Sequence, residues 1–177
     1  MKPSNRLPGI SVFLPAHNEA PNLERVVHGF LSVLPALADA YEVIVVDDGS
    51  TDDTPSVVAR LRAADSHVRS VRHDLNQGYG AAVISGIRAA TMPWVVLCDG
   101  DGQFDPHDLA RLVARADDFD VVAGRRVRRA DPLMRRINGR AWTLLMKLMF
   151  GLRTSDIDCG FKLLRKSMLD PAVLRAR

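Results

Sequence analysis

The sequence predicts an α/β domain built on a mostly parallel central sheet with helices on both faces. Three observations carry that prediction. Short apolar runs rich in β-branched residues recur at 10–14, 42–46, 94–98 and 119–123, each too short for a helix. Between them lie segments whose apolar residues fall at three- and four-residue spacing, the stripe of an amphipathic helix. The strand–helix alternation persists through the first 125 residues, which is the order that builds a parallel sheet.

The first strand is residues 10–14, stopped by Pro15. Asn18 and Glu19 then precede a helix with Pro21 in its first turn, where a missing N–H costs nothing. Leu23, Val26, Val27, Phe30, Leu31 and Leu34 form its apolar face, and Pro35 ends or bends it. Residues 42–46 are the second strand and run into Asp47-Asp48-Gly49-Ser50-Thr51. Ser50 and Asp53 resemble a capping box for a helix that carries Val57, Val58 and Leu61. Residues 67–72 make a weaker third strand. Residues 76–90 read as a small-residue helix opening at a glycine-rich turn, with Gly80 and Gly86 allowing close approach to backbone or ligand. After the strand at 94–98, Asp105 is the expected N-cap and Pro106 the first position of a helix that buries Leu109, Leu112 and Val113. The strand at 119–123 ends at Gly124.

Length predicts a single domain over residues 1–177, with its core at about 9–170. Hydrophobic content of 47% and charged content of 25% are those of a globular chain. Net charge is only +3, yet seven arginines fall between Arg125 and Arg140 against Asp131 alone. Such a block is a solvated face or meets phosphates or anionic lipid. Nucleic acid is not expected, because aromatics are few and no nucleic-acid motif is present. Cys98 and Cys159 have no metal-like spacing and predict reduced thiols in a cytoplasmic setting. The N-terminus lacks the apolar stretch of a signal peptide. No apolar run approaches the roughly 20 residues needed to span a bilayer.

The chemistry concentrates at Asp99-Gly-Asp101-Gly-Gln103. Alternate residues of extended chain point the same way, so the two carboxylates and the Gln103 amide can converge on a hard cation such as Mg²⁺ or Mn²⁺. Taken alone, Asp-Gly-Asp reads equally well as a solvated polar turn. An EF-hand is excluded, since Phe104 and Ala110 stand where that loop needs Gly and Glu. No G-x-G-x-x-G, Walker lysine or G-x-S-x-G motif is present. In parallel sheets ligands bind beyond the carboxyl ends of the strands. Residues 15–19, 47–50, 99–103 and Arg125-Arg126 all lie there. An acidic site of this kind suits ribose hydroxyls and a cation, with arginines facing a diphosphate.

Ile10-Ser-Val-Phe-Leu-Pro-Ala-His-Asn-Glu19, Val45-Val-Asp-Asp-Gly-Ser-Thr-Asp52, Asn76-Gln-Gly-Tyr-Gly80 and Asp99-Gly-Asp-Gly-Gln103 together resemble family 2 glycosyltransferases of Rossmann-like GT-A fold. Asp158-Cys-Gly-Phe-Lys-Leu-Leu-Arg165 is similar to the polyprenyl-phosphate branch, which includes dolichyl-phosphate mannose and glucose synthases. The resemblance implies that Pro15, His17, Glu19, Val46 and Asp48 hold the nucleoside, with His17 where a tyrosine is commoner. It implies Asp99, Asp101 and Gln103 for Mg²⁺ or Mn²⁺, and Arg126 and Arg135 for donor or acceptor phosphates. Asp101, Arg126 and Asp158 are the expected catalytic groups, Asp158 serving as base if the acceptor is a hydroxyl.

The implied activity is inverting transfer of a hexose from a nucleotide-sugar, of UDP-glucose or GDP-mannose type, to a polyprenyl phosphate. The Asp-Cys-Gly-Phe-Lys pattern leans towards UDP. Residues 132–150 form a basic amphipathic pattern compatible with a helix packed on the sheet or lying at the cytoplasmic membrane face. Relatives usually continue beyond the Cys-Gly-Phe-Lys segment, so the expected domain lacks the usual C-terminal part. Transfer to a saccharide hydroxyl, or a binding module without turnover, are the competing expectations.

Overall fold

A computed structural model of the chain describes residues 6–124, 149 and 159–169. Among these, six strands form one sheet in the order β3-β2-β1-β4-β6-β5. They are β1 (Ile10–Ala16), β2 (Tyr41–Asp48), β3 (Val68–His73), β4 (Trp94–Leu97), β5 (Val121–Ala123) and β6 (Lys162–Arg165). The helices are α1 (Ala20–Leu37), α2 (Thr54–Ala64), α3 (Tyr79–Ala89) and α4 (Leu109–Val113). β1 pairs in parallel with β2 and β4, and β2 with β3. β6 runs antiparallel between β4 and β5. The sheet is therefore mostly parallel, with one reversed strand that patterning does not announce.

Strand alternation divides the core into two layers. Val12, Leu14, Val43 and Val45 face α1, α2 and α4, where they meet Leu23, Val27, Phe30, Val57, Leu61 and Leu109. Phe13, Ile44 and Val46 face the other way, onto Ala82 and Ile87 of α3. Burying a large apolar side chain stabilises by roughly 1.5–3 kcal/mol, so the five buried residues of α1 hold that helix to the sheet. A Cβ built on Gly86 would lie 2.2 Å from Phe13 Cδ2. The close approach that Gly86 permits is thus of α3 to a core ring, and it brings the start of α3 to the carboxyl edge of the sheet.

Several boundaries differ from the sequence reading, each for a physical reason. β1 continues through Pro15 to Ala16. Odd residues of β1 face β4, as the bonds from Trp94 N–H to Gly9 and from Cys98 N–H to Phe13 show. Pro15 therefore points its missing donor where the β4 ladder has already ended at Phe13. α1 runs past Pro35 to Leu37, because Pro35 lies on the exposed side of the last turn. The capping box is not formed. Ser50 Oγ instead accepts from Asn18 N–H at 3.0 Å, and Asp53 makes no side-chain cap bond. Asp105 does cap the turn that follows it, accepting from His107 N–H, and Leu109, Leu112 and Val113 are buried.

The amino edge of the sheet is closed by a buried carboxylate. Glu42 Oε1 accepts from Ser11 Oγ at 2.6 Å and from Thr91 N–H and Oγ1 at 2.7 Å each. Arg69 pairs with Glu42 Oε2. Burial alone raises the Glu42 pKa, yet bonds from Ser11, Thr91 and Arg69 outweigh it and hold the group below its ordinary value.

Candidate active site

The carboxyl edge opens into a cleft of about 270 Å³. Strand order reverses between β1 and β4, the switch point where doubly wound sheets leave a crevice. Pro15, Ala16, His17 and Glu19 line the cleft from the end of β1, and Asp48 from the end of β2. Asn76, Gly78, Tyr79 and Ala82 line it from the β3–α3 turn, and Asp99, Gly100 and Asp101 from the end of β4.

Alternation along β2 separates its two terminal aspartates. Asp47 Oδ1 accepts from Ser50 N–H at 2.9 Å, shaping the turn after the strand. Asp48 faces the α3 side, where Oδ1 accepts from Gln77 N–H at 2.9 Å and from His73 Nδ1 at 2.6 Å. Its Oδ2 accepts from Gly78 N–H at 2.9 Å. A carboxylate offers about four acceptor sites, so these three bonds leave room for one ligand donor. Burial pushes the Asp48 pKa up, but the bonds from Gln77, His73 and Gly78 outweigh it and keep the group below the usual carboxylate range. His73 is itself braced, its Nε2 lying 2.8 Å from Ser85 Oγ.

The β1 side of the cleft is stitched to the turn after β2. Asn18 adopts a left-handed φ of 58°, which aims its Oδ1 at the N–H groups of Thr51 and Asp52. Glu19 N–H donates to Thr54 Oγ1 at 3.0 Å, while Glu19 Oε2 accepts from Asn22 Nδ2 at 3.0 Å. His17 Nδ1 donates to the Asp48 carbonyl at 2.9 Å, which leaves the ring on the cleft wall.

At the end of β4, Asp99 is held from the opposite wall. Tyr79 Oη donates to Asp99 Oδ1 at 2.9 Å. Partial burial against the wall, then the charge of Asp99, push the Tyr79 pKa above its ordinary value, so the phenol keeps its proton. On the other side, a Cβ on Gly160 would sit 1.9 Å from Asp99 Oδ2. The segment before β6 can therefore lie against this carboxylate only because residue 160 is glycine. Asp101 Oδ1 accepts from Gln103 N–H at 3.0 Å. Cys98 and Cys159 are both buried. Burial and the nearby Asp99 and Asp101 raise the Cys98 pKa, which makes it an inert thiol.

The expected site residues fall into three groups. Pro15, His17, Glu19, Asp48, Asp99 and Asp101 share the cleft. Val46 lies beneath it in the core with Phe13 and Ala82, and Gln103 is exposed beyond its lining. Arg126, Arg135, Asp158 and, apart from residue 149, residues 132–150 lie outside the described residues. Residues the sequence reading did not place here are Asn76, Gly78, Tyr79 and Gly160. A glycine-rich turn at the carboxyl end of β3 was the available signal for the first three.

Among the described residues no three His, Cys, Asp or Glu side chains gather as a ready metal cage. A cation is nonetheless compatible with the donors present. Mg²⁺ is commonly held by one or two carboxylates, with phosphate oxygens and water completing its shell, and Mn²⁺ takes the same oxygen donors. Among the described residues the cleft lining carries four carboxylates, Glu19, Asp48, Asp99 and Asp101, and no lysine or arginine. A diphosphate entering such a cleft needs a positive partner.

The model of the family described as glycosyl transferase family 2 matches residues 11–171. The undecaprenyl-phosphate 4-deoxy-4-formamido-L-arabinose transferase of Salmonella choleraesuis (strain SC-B67) is 31% identical over 163 residues, 91% of this chain and 50% of its own. Glucosyl-3-phosphoglycerate synthase from Mycobacterium tuberculosis, solved with phosphoglyceric acid, superposes with a TM-score of 0.70 at 25% identity, covering 91% of this chain and 58% of that one. The same synthase with Mn²⁺ and uridine-diphosphate-glucose gives 0.69 at 27% identity, covering 91% and 57%. The chain spans about half the length of the curated relatives it matches.

Proposed function

This chain is a GT-A-fold member of glycosyl transferase family 2, and on that premise we propose that it moves a hexose from a nucleotide-sugar to a polyprenyl phosphate with inversion, using Mg²⁺ or Mn²⁺. The observation that carries the proposal is the acidic cleft at the switch point, whose lining among the described residues has four carboxylates and no lysine or arginine. Similarity to an undecaprenyl-phosphate transferase supports the lipid acceptor. Likeness to a synthase solved with Mn²⁺ and uridine-diphosphate-glucose supports the cation and a UDP-sugar donor.

In this reading Asp48 offers its remaining lone pair to an N–H of the nucleobase, and Glu19 faces the ribose. His17, Pro15 and the backbone over Val46 form the wall beside the base. Asp99 and Asp101, with Gln103 two residues on, would hold the cation, which when bound would offset the negative charge that builds on the departing diphosphate. Arg126 and Arg135 face phosphates of donor or acceptor. A polyprenyl phosphate oxygen is already anionic near neutral pH, so positioning outweighs base catalysis. Asp158 is the carboxylate available as base for a hydroxyl acceptor. Residues 132–150 would rest on the cytoplasmic membrane face, beside the lipid phosphate.

A hydroxyl acceptor is the second reading, favoured by the likeness to a synthase solved with phosphoglyceric acid. The test is release of UDP or GDP from a panel of nucleotide-sugars with Mn²⁺ and a polyprenyl phosphate in detergent. The expected result is release that requires lipid and cation together, and that Asp101→Ala lowers at least 100-fold by removing electrostatic stabilisation. Turnover only with a soluble hydroxyl acceptor would replace the lead by the second reading. Tight donor binding without turnover would make the chain a binding module.

A further inference from the structure

Tyr79 is the first residue of α3, and the residue is 56% exposed on the rim of the cleft. Its backbone is fixed, whereas its ring has room to turn. The fixing comes from Gly78, whose φ of +90° bends the chain into the helix. Gly78 N–H lies 2.9 Å from both Asp48 Oδ2 and Asn76 Oδ1. From that anchored start the phenol spans the cleft and donates to Asp99 Oδ1 at 2.9 Å. Gly160 backs the other carboxylate oxygen, so Asp99 has little freedom to turn away from the phenol.

A phenol reaching across the cleft and a cation entering it approach the same carboxylate oxygen from the same side. One offers a hydrogen to Asp99 Oδ1, and the other needs that oxygen as a ligand. We propose that Tyr79 is a latch on the cation site, occupying Asp99 Oδ1 in the unliganded protein and swinging off as cation and nucleotide diphosphate enter together. The proposal rests on the cation reading above. It assigns Tyr79 a positioning role and adds a consequence. Because opening the latch is a cost shared by the two ligands, each binds better when the other is present, and the coupling is reciprocal.

The test is Mn²⁺ binding followed by electron paramagnetic resonance of the free ion, with and without UDP, for the wild type, Tyr79→Phe and Asp101→Ala. Tyr79→Phe keeps the ring and removes only the hydroxyl, and an unchanged melting temperature checks that the fold is retained. Removing a hydrogen bond to a charged group should tighten Mn²⁺ binding without UDP about tenfold. The factor by which UDP improves Mn²⁺ affinity should shrink correspondingly. An orienting hydrogen bond would have the opposite sign. Unchanged or weaker Mn²⁺ binding by Tyr79→Phe, with Asp101→Ala still lowering it, overturns the latch alone. Absence of Mn²⁺ binding in all three proteins, with UDP present, overturns the cation reading itself.

Discussion

Asp99 and its two neighbours show how a candidate site residue is held by partners distant in the chain. The carboxylate was legible in the sequence because an apolar strand stops abruptly at an aspartate, and the same holds for Asp48 after β2. Tyr79 and Gly160 were not legible, because nothing local says that residues 20 positions before and 61 after Asp99 will close on its two oxygens. Glycine at 160 leads to a sharp expectation. An added Cβ would fall 1.9 Å from Asp99 Oδ2, and a short side chain can yield only by turning its carboxylate. Gly160→Ala should therefore weaken Mn²⁺ binding about 10-fold, the low end of what disturbed support of a metal ligand costs. Stability should fall less, by about 1 kcal/mol. Titration of Mn²⁺ alongside urea denaturation separates the two effects; equal wild-type affinity would show that Asp99 is not a ligand.

At the scale of elements, the amino edge carries the complementary lesson. Ser11 of β1, Glu42 of β2, Arg69 of β3 and Thr91 ahead of β4 meet at one buried carboxylate. Apolar periodicity found these strands but could not show that their first polar residues form one network. It also placed the end of β1 too early, since Pro15 breaks a strand only where a ladder bond is needed. β6 escaped because four residues with charged ends give no usable period. Glu42→Ala would strand the buried Ser11 hydroxyl and unpair Thr91 and Arg69, a loss of about 2 kcal/mol, lowering Tm by roughly 4–8 °C. Donor binding at the far edge should survive well below that Tm. Because the Glu42 pKa is depressed on folding, its stabilisation is fully present above the ordinary carboxylate range near pH 4. It is lost as pH falls through the lower folded value. Melts between pH 7 and about pH 3 should show a shallower acid loss for Glu42→Gln than for the wild type. Parallel curves would deny Glu42 that role.

For the whole molecule, the parallel strands give the two edges different tasks. One edge is tied shut by a carboxylate satisfied from within the protein, and the other collects carboxylates with capacity left for ligands. The alternating pattern made this polarity readable, because each expected strand ends in polar residues on the same side. The missing part was how the chain beyond β5 returns: β6 inserts between β4 and β5 and carries Gly160 to Asp99, a reversal no spacing rule supplies. The consequence can be measured on the intact protein. On the proposed reading, the four carboxylates would repel a nucleoside diphosphate that arrives alone, and two of them would be neutralised when a divalent cation accompanies it. UDP alone should therefore shift the thermal transition little, and Mn²⁺ alone only slightly. Together, at about 100 times their Kd, they should add about 2.7 kcal/mol, a rise of roughly 5–10 °C. Asp101→Ala should lose most of that joint shift while melting near the wild-type temperature without ligand, since Asp101 is only half-buried. A full shift with UDP alone would mean that the cleft binds its donor without a cation.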